Sequence, residues 1–145
     1  MKKVFICVLI ICTLLLTCGC GCKPSEAFQY LHSPDSIQRI EIVELTQKTE
    51  DGFDQKVLYI IDDIDAFIDD FETVDCYGHF MDPLGVDEGD ITIKLIYNNG
   101  DYELVTQSGK AIFYADSGIF RYYKGYQTFD EEQFQALIDK YLAAD

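Results

Sequence analysis

Apolar and polar side chains alternate in Ile91-Thr92-Ile93-Lys94-Leu95-Ile96-Tyr97, Asn98-Asn99-Gly100-Asp101 supplies a turn, and residues 102–106 run back. Asn-Gly between alternating runs predicts a hairpin with a type I′ turn, in which both central residues take positive φ. Ser108-Gly109 and Asp116-Ser117-Gly118 turn the chain twice more, into 111–114 and 119–123. The pattern therefore predicts a four-stranded antiparallel meander. Upstream, Ile40 and Ile42 alternate with Arg39 and Glu41 over 37–45, after Ser33-Pro34-Asp35. Asp51-Gly52 then turns the chain into 56–61, which predicts a second hairpin. Residues 73–77 read as a short strand, and 79–90, with Pro83, Gly85 and Gly89, as the longest loop.

Two stretches change to a helical period. Ile64, Phe67, Ile68 and Phe71 fall at i, i+3, i+4 and i+7. They follow Asp62 and Asp63, which with Asp65 suit the positive end of a helix dipole. Phe134, Leu137, Ile138, Tyr141 and Leu142 make a second stripe, in front of which Thr128 and Glu131 have the spacing of a capping box and Asp130 is the competing cap. Amphipathic helices must bury their stripe against something. The predicted fold is α+β, an antiparallel sheet of about five to seven strands with two helices packed on one face.

The first residues follow neither period. Met1-Lys2-Lys3 is a positive head, residues 4–17 carry no charge, and Thr17-Cys18-Gly19-Cys20-Gly21-Cys22 is a run of small residues. That order is the order of a secretory signal peptide. The apolar stretch falls short of the roughly 20 residues that a spanning helix needs. Its end resembles the lipobox of bacterial lipoproteins, in which an apolar residue and two small residues precede a cysteine. The resemblance implies a diacylglyceryl group on Cys20, with cleavage between Gly19 and Cys20. Thr17 occupies the place where the lipobox has its apolar residue. Cys18 is the alternative, with Leu15 and Leu16 better placed but Thr17 directly before it. The expected organisation is a signal peptide over 1–19, a lipidated linker over 20–27 and one globular domain over 28–145. Two acyl chains hold a protein stably on a bilayer. The expected location is the extracytoplasmic face of the cell membrane, tethered and not spanning.

Charge sharpens this picture. The 145 residues carry a formal charge of −15, and loss of 1–19 removes Lys2 and Lys3 but no acid, so the mature chain stands at −17. No run of Lys or Arg offsets this, which argues against a nucleic-acid partner. An apolar fraction of 48% argues against disorder. Six cysteines suggest a disulfide framework until they are placed, because Cys7, Cys12, Cys18, Cys20 and Cys22 all precede the domain and Cys76 alone lies within it.

Candidate chemistry is sparse. His32 and His79 stand in no motif, and the common hydrolase and nucleotide-binding signatures are absent. Cys76 with His79 is a nucleophile-and-base pair only if the fold joins them; a buried thiol, or pairing with Cys22, are the other readings. Asp82, Asp87, Glu88 and Asp90 form an acidic loop able to offer oxygen ligands to Ca²⁺, although the EF-hand pattern is missing. Tyr97, Tyr102, Tyr122 and Tyr123 lie in the meander and could line a recognition strip or pack across strands.

Ile93, Tyr97-Asn98-Asn99-Gly100, Tyr102-Glu103-Leu104, Phe129-Asp130-Glu131-Glu132-Gln133-Phe134 and Leu137-Ile138 resemble the pattern of small uncharacterised lipoproteins of Gram-positive bacteria. Cys76-Tyr77 and Asp82-Pro83 fit the same pattern. The resemblance covers roughly half the chain and implies no activity, cofactor or catalytic residue. The functional expectation is a non-enzymatic, membrane-anchored accessory or binding domain for a peptide or protein partner. The mature charge favours a cationic partner. A Ca²⁺-binding or metal-dependent module on 82–90 is the alternative.

Overall fold

Alternation over Ile37–Thr49 (β1) places Ile40 and Ile42 on one side of the chain and Glu41 and Val43 on the other. The computed structural model describes residues 25–79, 86–122 and 126–143. In it β1 pairs antiparallel with both Gly52–Ile60 (β2) and Ile91–Tyr97 (β4). Tyr102–Thr106 (β5), Gly109–Tyr114 (β6) and Ile119–Tyr122 (β7) continue as a meander. The result is a six-stranded antiparallel sheet ordered β2-β1-β4-β5-β6-β7. Cys76–His79 (β3) pairs with Tyr126–Phe129 (β8) in a separate two-stranded ribbon. The helices are Ile64–Glu72 (α1) and Glu131–Leu142 (α2). The architecture is α+β.

Local chemistry explains the boundaries. Asp63 caps α1 by accepting from the Ala66 N–H at 3.0 Å, and Asp130 caps α2 by accepting from the Gln133 N–H at 3.0 Å. The cap of α2 is thus Asp130; Thr128 is drawn into β8. The β4–β5 connection also departs from expectation. The Gly100 N–H donates to the Tyr97 carbonyl at 2.9 Å and the Tyr97 N–H to the Asp101 carbonyl at 2.9 Å. Of the turn residues only Gly100 has positive φ, +88°. This is a three-residue connection, a type I turn closed by a glycine bulge, and not a type I′ turn.

Pairing of Ile42 with Ile93, and of Ile93 with Val105, puts these three on one face. Their cluster includes Leu95 and Tyr97, and the buried residues of both helices join it: Phe67 and Phe71, then Phe134, Leu137 and Ile138. A smaller cluster, with Val43, Leu45, Phe53, Leu104 and Ala111, fills the other face. Register shifts in the β1–β2 pair at Ile42/Val43 and Leu45/Gln47 bend the strands. The bend brings the two outermost strands together across that second face, where Phe53 of β2 meets Phe120 of β7 edge-on at 5.9 Å. Gly52 permits this approach: its φ is +135°, and a Cβ there would lie 3.1 Å from the Phe120 ring.

Candidate functional site

The tyrosines do not form one strip. Tyr97 is fully buried in the larger cluster and donates its hydroxyl to Glu103. Burial, and then the Glu103 charge, push its hydroxyl far above the ordinary value, so it stays a protonated donor. Tyr102 lies on the opposite face, half-buried and stacked on Phe113 at 4.9 Å, with the Lys94 ammonium 4.5 Å above its ring. Burial lowers the Lys94 pKa, opposed by Glu41. Tyr122 ends β7, and Tyr123 lies outside the described residues.

The acidic loop is only partly described, since Asp82 lies outside. Asp90 accepts from the Asp87 N–H at 2.8 Å, and the backbones of Gly89 and Asp90 pair with Leu45 of β1. Asp90 is therefore engaged in shaping the turn. Among the described residues no group of three or more His, Cys, Asp or Glu is placed to hold a metal ion.

Cys76 is buried in the larger cluster. Burial, and then the nearby Glu26 carboxylate, push its thiol up to about 11. A thiol so placed is protonated at neutral pH, the reverse of what a nucleophile needs. Native protein at neutral pH should leave Cys76 unalkylated by iodoacetamide over a time in which the unfolded chain reacts fully, as read by peptide-resolved mass spectrometry. Rapid native labelling would refute this burial. Cys18, Cys20 and Cys22 lie outside the described residues. Among those described, no helix is long and apolar enough to cross a membrane.

Four of the buried polar residues, Asp101, Glu103, Lys110 and Gln127, have a common role. Residues 25–32 form a strap tied to the sheet and the ribbon. The Cys76 N–H donates to Ser25 Oγ at 3.2 Å, and the Glu26 N–H donates to the Cys76 carbonyl at 2.7 Å. Gln127 donates to the Ala27 carbonyl at 2.7 Å and accepts from the Gln29 N–H at 2.6 Å. Glu103, with no exposed surface, accepts from the Leu31 N–H at 2.8 Å and pairs with Lys110 at 2.5 Å. Lys110 in turn donates to the Gln29 carbonyl. His32 Nε2 sits 2.8 Å from Asp101 Oδ2. Burial opposes the charge of Asp101, but its bonds from His32, the Ala115 N–H and Asn99 outweigh this and hold the carboxyl below its usual value. Ser25 to Ala27, expected within the linker, are thus bonded to the folded body.

The second feature is an edge. Among the described residues β2 is paired in the sheet with β1 alone, and β7 comes close to it at Gly52 and Phe53 without pairing. Val57 and Ile60 are exposed on it, at 46% and 44%. Through their partners Val43 and Glu41 they lie on the face opposite the larger cluster. Gln55, on the same strand, has a buried side-chain oxygen with no hydrogen-bond partner among the described residues. Comparison with known protein families, with curated proteins and with solved structures found no match.

Proposed function

We propose that this chain is a lipid-anchored extracytoplasmic binding domain, without catalytic activity of its own, that takes up a peptide or protein partner as an added strand along β2. The observation that carries this reading is the edge itself: nine residues of extended backbone with, among the described residues, one paired strand and two exposed aliphatic side chains. Strand addition obtains affinity from main-chain hydrogen bonds and specificity from alternate side chains. In this reading both helices cover one face of the sheet, and the partner's side chains reach the other beside Val57, Ile60 and Tyr102. The N-terminal signal and the strap complete it, one supplying the anchor and the other a fixed attachment to the domain.

Two measurements test the reading. Partner binding should slow amide hydrogen exchange over 53–60 while leaving the α2 amides unchanged; protection confined elsewhere refutes edge docking. Labelled palmitate should enter the wild-type protein and not Cys20→Ala; label lost only in Cys18→Ala moves the anchor to that residue, and label absent from wild type removes it.

A further inference from the structure

We infer that the strand accepted by β2 has an apolar centre flanked on both sides by lysine or arginine. This rests on β2 being the docking edge. Charge is distributed unevenly along that edge. At the hairpin end Glu50, Asp51 and Asp54 are exposed. At the other end Asp62 and Asp63 are exposed, followed by Asp65 in the first turn of α1. The cations nearest the middle already face carboxylates: Lys56 lies 3.3 Å from Glu44, Arg39 2.6 Å from Glu41 and Lys94 3.9 Å from Glu41. Lys48 lies across from Phe53 near the hairpin end, where the three acids outnumber it. Between the acidic ends stand Val57 and Ile60.

Asp54 and Asp62 are eight residue steps apart in the sequence. That is about 26 Å of extended chain, the length of an ordinary strand with one or two residues added. A peptide lying along β2 meets carboxylates at each end and aliphatic surface between them. The arrangement has the same sign at both ends, so basic flanks fit whether the peptide runs parallel or antiparallel. It also disfavours a second copy of the chain. Antiparallel pairing of two β2 edges sets acidic ends against acidic ends, and like charges directly opposite one another destabilise a strand pair.

The test is fluorescence anisotropy with the full chain and labelled peptides that share an alternating Val/Thr centre. One has two arginines at each end, one has serines and one has glutamates. A fourth has arginine ends and a proline in the centre. The arginine peptide should bind about tenfold more tightly than the serine peptide at low salt, with the advantage shrinking as salt screens the exposed charges. The glutamate peptide should bind weaker still. Asp54→Asn combined with Asp62→Asn should remove most of the arginine advantage and leave serine-peptide binding unchanged; both sites are exposed, so the fold is retained. Equal affinity for arginine and serine peptides overturns the inference while edge docking survives. Full binding of the proline peptide, or no binding of any peptide, removes edge docking and the inference together.

Discussion

Glu103→Leu is expected to destabilise the domain by about 3–5 kcal/mol in urea denaturation, because it strands a buried cation and frees three donors at once. Lys110 sits 2.5 Å from the Glu103 carboxylate and is 8% exposed, so it cannot turn to water without disrupting its surroundings. The Tyr97 hydroxyl and the Leu31 N–H lose their acceptor in the same substitution. Lys110→Met should cost somewhat less, since Glu103 keeps those two donors. The double variant should cost less than the two singles added, by roughly 1–3 kcal/mol, because residues in one network couple. It will not return to wild type, since the Gln29 carbonyl and the Leu31 N–H in the strap still lose partners. A second readout separates strap release from general loosening: exchange at the Leu31 amide should accelerate in Glu103→Leu before that of the β4 amides. Additive single and double effects would show that the pair is not a unit.

The elements of this fold were legible where a side-chain period ran long enough. Residues 91–97 alternate over a full strand, and β4 occupies those positions. Phe67 and Phe71, one turn apart, are both buried on α1, and Phe134, Leu137 and Ile138 are buried on α2. The β3–β8 ribbon was not legible as a pair. Its strands are four residues each, too short for a period, and their pairing joins residues far apart in the chain. The glycine-bulge turn escaped for a related reason. Asn-Gly satisfies either turn type, and only the backbone of Asn99 distinguishes them.

The candidate site was legible in part. Tyr102 lies near the expected recognition face, but Tyr97 does not, because its position in β4 has the parity of Ile93 and Leu95 and turns it into the core. That parity carried a signal for Glu103 as well. Glu103 sits opposite Leu95 and shares a face with Val105, so a charge there is forced inward and must find a cation. Lys110, two positions on from Ser108 in the next strand, lies opposite Val105 and meets it. The strap that these two hold has no strand period of its own, since its backbone bonds go to side chains and to the ribbon. Edge status was equally invisible, because whether β2 gains a second neighbour depends on where the meander closes.

Phe71→Ala should cost about 3–5 kcal/mol, as deletion of a buried aromatic ring does when the cavity cannot collapse. Phe71 is 1% exposed and touches three separate parts of the fold. Its ring lies 5.1 Å from Phe28 in the strap, 5.3 Å from Phe129 in β8 and 6.1 Å from Phe67 on its own helix. Each neighbour is itself held elsewhere, Phe129 through its backbone bond to Gln107 and Phe28 beneath the Lys110 ammonium. Relaxation around the missing ring is therefore opposed from several directions. Phe113→Ala supplies the contrast, with an expected loss of about 1 kcal/mol, the order of one aromatic pair, because Phe113 is half-buried and, among the described rings, stacks on Tyr102. Both are phenylalanines on regular elements, so composition and propensity do not separate them. What separates them is burial: Phe71 lies fully inside the larger cluster, whereas Phe113 in β6 is half-buried. Equal losses at the two sites would mean that the surroundings of Phe113 are as tightly packed as those of Phe71.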